Sequence, residues 1–301
     1  MIKEEINETG SSETIRKTTF DFSNYLDRCP SHIHKSQISI HFLEWFVGFS
    51  EGDGAFIVSK GRLFFMINQK EEKVLARIRT QLGFGKVSRY HTYFRFIVAN
   101  KEGVQRLLHL FNGHLVLNKT NARFHLWLDS WNSSCKECET IQYLSQNRLN
   151  SFTENGWLSG FIDADGCFNV QRLLDPRYTL GWRVRLRFIL DQKCERELLE
   201  RVRHWLGFGS VSVRREVAEM YRFVSTHTSS HEILIEYLHR FPLKSIKKVE
   251  FVRFVSLLHY IRERKRVPWK GKVLNRVENL IARLDQPDLA SELLDLRDAE
   301  G

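Results

Sequence analysis

The spacing of hydrophobic and polar positions recurs along the chain. The first unit predicts a helix over Trp45–Asp53, strands over 54–60 and 62–69, a helix over Glu71–Leu82, strands near 86–90 and 93–99, and a helix over Lys101–Phe111. A second unit starts at Trp157, and its later helices are predicted over Glu195–Leu206 and His231–His239. Each unit therefore consists of helix, hairpin, helix, hairpin and helix, which predicts an α+β fold with antiparallel sheets.

The residues themselves indicate an internal duplication. The segment WFVGFSEGDGAF at 45–56 matches WLSGFIDADGCF at 157–168, and LGFG occurs at 82–85 and again at 206–209. A repeat of this kind determines the architecture, since each copy forms one structural unit.

The second copy is longer than the first. Asp53 and Asp165 are 112 residues apart, whereas Gln69 and Gln192 are 123 residues apart. The difference is about eleven residues, which we place in a longer hairpin turn around 173–178.

These features divide the chain into five segments. We expect a polar N-terminal extension over 1–38, a first repeat over 39–131, a linker over 132–154, a second repeat over 155–284 and an acidic tail over 285–301. The extension receives no functional interpretation.

The charge of the chain is strongly positive and unevenly distributed. The formal net charge of the 301 residues is +10 with a pI near 9.4, and it rises to +16 when the acidic ends 1–40 and 285–301 are excluded. A basic surface of this kind most often binds a polyanion.

Membrane insertion and secretion are not expected. No stretch approaches 18 consecutive apolar residues, and the N-terminal MIKEEINE has no apolar signal core. We therefore expect a soluble intracellular protein without a membrane partner.

The cysteines do not form a disulfide framework. The chain has an odd set of five, Cys29, Cys135, Cys138, Cys167 and Cys194, which we take as reduced thiols. Cys135 and Cys138 have half the spacing of a zinc site, but no second pair follows.

The duplicated helices each end in an Asp-Gly pair. Glycine readily supplies the backbone turn that ends a helix. An aspartate there opposes the negative C-terminal end of the helix dipole, and a nearby cation removes that conflict. Taken singly, Asp53 or Asp165 is better explained as a solvated turn residue, but the repetition favours divalent metal ligands, with Mg²⁺ as the preferred ion.

Small residues accompany the two acids. Gly48 and Gly52 in one helix, and Gly160 and Ala164 in the other, are four residues apart and share a helix face. If these faces pack together, Asp53 and Asp165 meet at one end and can share metal ions.

One strand has alternating basic and apolar residues. In WRVRLRF, over 182–188, every second side chain is an arginine, which predicts a cationic face suited to phosphates and guanines. Taken singly, each candidate is better explained as a solvated surface charge, but the set on the hairpins favours nucleic-acid binding. The candidates are Lys60, Arg62, Asn68, Arg89, Arg95, Arg183, Arg185, Arg187, Arg214, Arg215 and Arg222.

Other catalytic constellations are absent from the sequence. It contains no P-loop, no dinucleotide-binding glycine motif, no nucleophile elbow and no histidine pair at zinc spacing.

The paired motifs FVGFSEGDG at 46–54 and LSGFIDADG at 158–166 resemble those of the LAGLIDADG homing endonucleases in their single-chain, two-repeat form. The resemblance covers about 39–284. It implies two pseudo-symmetric αββαββα repeats packed through the motif helices, with two curved antiparallel sheets forming a DNA-binding saddle.

The resemblance also implies site residues. Asp53 and Asp165 would bind the metal ions together with the backbone carbonyls of Gly52 and Ala164. The remaining catalytic residues implied are Gln69, Lys73 and Lys119 in the first repeat, and Gln192, Arg196 and Lys247 in the second.

The implied function is hydrolysis of both strands of a long asymmetric DNA duplex, leaving short 3′ overhangs and promoting intron mobility. Mg²⁺ would support cleavage, Mn²⁺ could substitute, and Ca²⁺ would support binding alone. The protein would act as a monomer in an organelle, a mitochondrion before a chloroplast. Two alternatives stay open: an RNA maturase that binds its host intron RNA, and a non-catalytic sequence-specific DNA-binding protein.

Overall fold

The architecture is described from a computed structural model, which covers residues 20–28, 38–134, 140–147, 149, 151–215 and 217–284. The helices of this part are α1 (Ser23–Leu26), α2 (Ile40–Asp53), α3 (Glu72–Leu82), α4 (Lys101–Phe111), α5 (Asn118–Ser134), α6 (Trp157–Asp165), α7 (Arg196–Leu206), α8 (Thr228–Arg240), α9 (Lys247–Glu263) and α10 (Gly271–Leu284). The strands are β1 (Gly54–Ser59), β2 (Arg62–Gln69), β3 (Lys86–Arg89), β4 (Phe94–Val98), β5 (Gly166–Leu174), β6 (Trp182–Lys193), β7 (Ser210–Val213) and β8 (Met220–Ser225).

The strands form two antiparallel sheets with the same topology. The first has the order β1-β2-β4-β3 and the second the order β5-β6-β8-β7. In each sheet the motif helix leads directly into the edge strand, and the third and fourth strands form a second hairpin. The expected α+β fold with two equivalent repeats is confirmed.

The two motif helices α2 and α6 pack against each other at very close range. A methyl group added to Gly48 would overlap the carbonyl oxygen of Trp157, and one added to Gly160 would overlap that of Trp45. The helix backbones are therefore in direct contact at two symmetric points. This contact requires glycine, because any larger residue would separate the helices.

The core of each repeat lies between its sheet and the helices that cover one sheet face. Phe65, Phe96 and Phe111 are fully buried in the first repeat, as are Val170 and Phe223 in the second. Burial of large aromatic side chains contributes most of the hydrophobic stabilisation per residue.

Most predicted elements begin and end within two residues of their observed bounds. The main difference at the motif helices is that α2 starts at Ile40 rather than Trp45, because Phe42 and Leu43 continue its buried face. The longer hairpin of the second copy is present, with its turn between Leu174 and Trp182.

The prediction of three helices in each unit was too simple. In the first repeat α5 follows α4, and in the second α9 and α10 follow α8. The signal for α5 was present in the sequence, since its buried Phe124, Trp127, Leu128 and Trp131 have helical spacing.

Residues 20–28 of the expected N-terminal extension pack onto the first repeat. Phe20, Phe22 and Tyr25 are buried, and the ring of Phe22 lies 4.5 Å from that of His114. None of the helices in the described part of the chain is both long and apolar enough to cross a membrane.

Candidate active site

The two motif aspartates meet at the C-terminal ends of α2 and α6. A Cβ atom built on Gly52 would lie 2.7 Å from Oδ2 of Asp165 and would overlap Cβ of Ala164. The carboxylate of Asp165 is therefore beside the backbone that immediately precedes Asp53. Both aspartates are only partly buried.

The glycines after the aspartates have a different role from the one expected. Gly54 and Gly166 adopt extended backbone conformations, with φ of -84° and -75°, rather than the left-handed conformation of a typical helix cap. The reason for glycine is space: an added Cβ would lie 2.5 Å from the carbonyl oxygen of Ser50, or 2.8 Å from that of Ile162. The chain can therefore pass directly from helix into strand.

Each aspartate is held by the glutamine predicted to accompany it. Gln192, at the end of β6, donates from Nε2 to Oδ2 of Asp165 at 2.6 Å, and Gln69 donates from Nε2 to Oδ2 of Asp53 in the same way. These hydrogen bonds fix the orientation of each carboxylate.

Lys247 lies at the same site. Its Nζ donates to the carbonyl oxygen of Ala164 at 2.7 Å and to that of Ile162 at 3.3 Å. An ammonium at the C-terminal end of α6 shows that this end attracts positive charge, as its dipole predicts. Lys119 has the equivalent place in the first repeat, at the start of α5, and is partly buried.

Lys73 and Arg196 are placed less closely. They lie near the N-terminal ends of α3 and α7 and are exposed. The guanidinium of Arg196 lies 3.8 Å from Glu200 and 6.0 Å from the ring centroid of Tyr221. Within the described residues, neither side chain bonds to a motif aspartate.

The structure adds two acids that the sequence pattern did not single out, Glu51 and Asp163, each two residues before a motif aspartate. Both are almost fully buried, and each accepts an indole N–H from the opposite motif helix. The duplicated spacing of Trp45 to Glu51 and Trp157 to Asp163 is the sequence signal that could have revealed them.

Glu51 and Asp163 also bind the backbone just before the basic residues of the site. Glu51 accepts from the N–H groups of Val116 and Leu117 at 2.9 and 2.7 Å, and Asp163 accepts from that of Lys244 at 2.6 Å. Lys119 lies three residues after Val116, and Lys247 lies three residues after Lys244. The two acids therefore anchor the segments that carry the lysines to the ends of the motif helices.

Burial alters the protonation of these acids. Burial raises the pKa of Glu51 to about 8 despite its three N–H donors, and it raises the pKa of Asp163 as well. Glu195, whose Oε1 accepts from the backbone N–H of Lys119 at 3.1 Å, also has a raised pKa because of its burial. This last contact links the second repeat to the first beside the active site.

The donor set at the helix ends fits a hard divalent cation. It consists of the carboxylates of Asp53 and Asp165, and oxygen ligands of this type suit Mg²⁺ or Ca²⁺. The carbonyl oxygen of Ala164, which was expected to be a further ligand, accepts from Nζ of Lys247 instead. No group of three or more His, Cys, Asp or Glu side chains with metal-binding geometry occurs among the described residues. Water and phosphate oxygens would therefore have to supply the remaining ligands.

The outer face of the second sheet, opposite its core, carries most of the predicted basic residues. Arg183, Arg185 and Arg187 alternate with side chains of the core along β6. Arg187 is held by Asn169, and Arg222 is held by Asp191, whose Oδ2 also accepts from Arg214 at 3.1 Å. Arg215 follows β7 and is exposed.

The outer face of the first sheet is less basic. Arg95 donates from Nε to Asn68 at 2.8 Å, and its guanidinium lies 4.8 Å from the ring centroid of Tyr90. Lys60 and Arg62 lie at the β1–β2 turn and are exposed. Arg89 does not lie on this outer face. It is at the exposed end of β3, where it pairs with Phe94 of β4 on the face of the sheet that is directed towards the core.

Two of the five cysteines lie in the part of the chain that the structure describes. Cys167 is half-buried and Cys194 is exposed, and neither forms a disulfide. Cys29, Cys135 and Cys138, including the half zinc motif, lie outside the described residues.

Comparison with known proteins agrees with this geometry. A family model described as LAGLIDADG endonuclease matches residues 46–130 and 158–258. A "probable intron-encoded endonuclease 4" of Neurospora crassa is 32% identical over 230 residues, which are 74% of this chain and 41% of that protein. The intron-encoded RNA maturase bI4 of Saccharomyces cerevisiae is 24% identical over 257 residues, 79% of this chain and 37% of that one.

Solved structures have the same fold. The LAGLIDADG meganuclease I-AabMI, bound to uncleaved DNA, superposes with a TM-score of 0.66 over 81% of this chain and 99% of its own, at 23% identity. The chain spans about two fifths of the length of the two curated relatives. The family model nevertheless matches more than half of this chain, in two successive copies that coincide with the two repeats. The chain therefore belongs to the LAGLIDADG endonuclease family.

Proposed function

We propose that this chain is a site-specific homing endonuclease that hydrolyses both strands of a long, asymmetric DNA duplex. The observation that carries the proposal is the pair of Asp–Gln units, Asp53 with Gln69 and Asp165 with Gln192, at the junction of the two sheets. One such unit for each sheet suits a substrate with two strands to be cut.

The reaction depends on oriented carboxylates and nearby positive charge. When bound, divalent metal ions would activate a water and stabilise the charge that develops at the scissile phosphate. Asp53 and Asp165 hold the ions, Gln69 and Gln192 orient the carboxylates, and Lys247 and Lys119 add positive charge close by. Mg²⁺ is the proposed ion for cleavage, with Mn²⁺ as a substitute and Ca²⁺ supporting binding alone.

Substrate binding would use the outer faces of both sheets. The arginines of β6 and β8 suit phosphate oxygens and guanine edges in the major groove. Asn169 and Asp191 hold two of them, Arg187 and Arg222, in fixed orientations. Pre-oriented side chains lose less conformational entropy on binding and so favour specific contacts.

A single chain supplies both catalytic aspartates, which supports a monomeric enzyme. Cleavage across the minor groove with short 3′ overhangs is part of the proposal and follows the expectation for the family. The intron-encoded relatives support an organellar intron as the coding site, in a mitochondrion before a chloroplast, and a role in intron mobility.

The test is a selection from a large duplex DNA library with the purified protein, in Mg²⁺ and separately in Ca²⁺, in which cleaved and bound molecules are sequenced. Cleavage at one long asymmetric site in Mg²⁺, with binding alone in Ca²⁺, is the expected result. Binding without cleavage in both ions would contradict the proposal and favour a DNA-binding regulator.

The second candidate function is RNA maturation. It is favoured by the similarity to the maturase bI4 and requires specific binding of the host intron RNA. The two Asp–Gln units favour the nuclease, because RNA binding alone makes no use of two oriented carboxylates. A splicing assay with the host intron, compared between the wild type and Asp165→Asn, distinguishes the two roles.

A further inference from the structure

A dense group of basic residues lies at the α9–α10 connection of the second repeat. Residues 262–276 contain seven basic side chains and one acid. Six of them are exposed, and four of these six, Lys265, Arg266, Lys270 and Lys272, are called the outer basic surface. Among the residues that the structure describes, no acid lies within ion-pair distance of Lys265, Lys270 or Lys272.

This surface is fixed to the long β5–β6 hairpin. The ring of Trp269 is buried 5.9 Å from that of Trp182, at the start of β6, and its indole N–H donates to the carbonyl of Tyr260. The guanidinium of Arg264 lies 4.7 Å from the ring centroid of Tyr178 in the hairpin turn and 4.4 Å from that of Trp269. The four cations are therefore carried on an ordered connection.

The hairpin turn lies at the end of the sheet that is farthest from the active site. β5 begins at Gly166, next to Asp165, and runs for nine residues to Leu174. At about 3.3 Å per residue this distance is about 26 Å, the length of roughly eight base pairs of duplex. In the first repeat β1 has six residues, so its turn lies only about 17 Å, or roughly five base pairs, from Asp53.

The first repeat is shorter at this end of its sheet. The stretch of α5 over 126–134 matches 254–262 of α9, since Lys119 matches Lys247, and it contains one acid, Asp129, and no basic residue. The two ends of the molecule therefore differ in reach.

We infer that the outer basic surface binds the phosphate backbone of duplex DNA beyond the region read by the second sheet, about eight base pairs or more from the cleavage site. This inference rests on the proposed function. The outer basic surface makes the protein–DNA contact longer on the side of the second repeat. These added contacts do not depend on the DNA sequence.

The experiment compares the wild type with a quadruple variant, K265A/R266A/K270A/K272A, which keeps Arg264 and Trp269. The matched control is R79A/K101A/R203A/R240A, which removes four exposed cations from helices that cover the core. Thermal unfolding of all three proteins establishes that each is folded. Binding to the selected duplex in Ca²⁺ is measured against salt concentration, and hydroxyl-radical footprints are recorded.

The quadruple variant should bind at least tenfold more weakly than the wild type, with a salt slope reduced by about one for each phosphate that is no longer neutralised. Its footprint should lose protection only on the flank of the second repeat. Shortening that flank to roughly six base pairs should weaken the wild type and the control but leave the quadruple variant unchanged.

An unchanged slope and footprint in the quadruple variant overturn the inference. A variant that keeps duplex binding but loses binding to structured RNA also overturns it, in favour of an RNA surface. A wild type that binds its site with the extended footprint but never cleaves refutes the proposed nuclease and supports the outer basic surface.

Discussion

The indole N–H of Trp157 donates a 2.6 Å hydrogen bond to Oε2 of Glu51 across the interface between the two motif helices. Its symmetric counterpart joins Trp45 to Asp163 at 2.8 Å. Each repeat thus supplies the tryptophan that satisfies the buried acid of the other. Because each acid also binds the backbone ahead of Lys119 or Lys247, the helix interface and the active site share one hydrogen-bond network.

Glu51→Gln should destabilise the protein by about 1–3 kcal/mol. The NH2 group of the glutamine side chain can only donate, so it would face, without forming a hydrogen bond, at least one of the three N–H groups that Glu51 binds. Trp157→Phe removes one of these donors, so the losses in the double variant should be less than additive. The free energy of unfolding in urea, measured for both single variants and the double, tests the coupling. Strictly additive losses would show that the hydrogen bond has no energetic role.

Stability should fall as pH rises towards 8. Burial raises the pKa of Glu51 from 4.5 to about 8, so between these values the folded protein retains a proton that the unfolded chain has lost. Ionisation of Glu51 therefore opposes folding, by at most about 1.4 kcal/mol per pH unit. The raised pKa of Asp163 acts in the same direction.

The contribution of Glu51 is isolated by comparison with Glu51→Gln, which has no proton to lose. The stability difference between the wild type and this variant should decrease from pH 5 to pH 8, as measured by urea unfolding at several pH values. A difference that stays constant over this range would mean that the carboxyl is already ionised in the folded state.

Asp53→Asn and Asp165→Asn should each lower double-strand cleavage by about 100-fold or more, because each removes a carboxylate from the site where charge develops. DNA binding should be preserved. Cleavage on supercoiled plasmid and binding by gel shift are the measurements. Asp129→Asn, an exposed acid on α5, is the matched control and should cleave normally. Full cleavage activity in either variant would show that the substituted aspartate takes no part in catalysis.

Gly48→Ala should destabilise the protein by about 3 kcal/mol or more, because the added methyl overlaps the carbonyl oxygen of Trp157 and forces the helices apart. Gly61→Asn is the control: this turn has open space and a φ of +72°, which asparagine tolerates, so its loss should stay below about 1 kcal/mol. Thermal unfolding compares the two. Similar stabilities would contradict the close packing of α2 and α6.

Asp191→Asn should strengthen non-specific DNA binding, because Arg222 and Arg214 lose a neutralising partner. The slope of log affinity against log salt concentration should become steeper by an amount that corresponds to up to about one additional neutralised phosphate. The change mimics the first repeat, where Asn68 holds the equivalent Arg95. The reciprocal Asn169→Asp, beside Arg187, should weaken binding. Equal salt slopes in the wild type and both variants would place these arginines away from DNA.

Much of the fold could be predicted from the chain alone. The periodicity predicted the hairpins and the helices α3, α4 and α7 within one or two residues, since their apolar faces are local patterns. It did not predict α5, α9 and α10 as part of each repeat, although the buried positions of α5 have clear helical spacing. A unit of five elements has no place for these additional helices, although α5 and α9 have the matched Lys119 and Lys247 in their first turns and belong to the duplication.

Part of the site was also predictable. The duplicated Asp53 and Asp165 were marked by an unfavourable position at helix ends, and Gln69 and Gln192 by the match between the copies. Glu51 and Asp163 were not recognised, because a charged residue within a helix is usually exposed and its burial depends on partners from the other repeat.

Residue order and composition were enough to establish the duplication, the antiparallel hairpins, the basic character and the pair of aspartates, because each of these is written in local patterns. The exchange of hydrogen bonds between Trp157, Trp45 and the opposite helix became visible only in the folded molecule. So did the requirement for Gly54 and Gly166 by space rather than by backbone conformation. The same holds for the packing of Trp269 and Arg264, beside the cations of 265–272, against the β5–β6 hairpin. Each of these depends on contacts between residues far apart in the chain, for which local patterns carry no information.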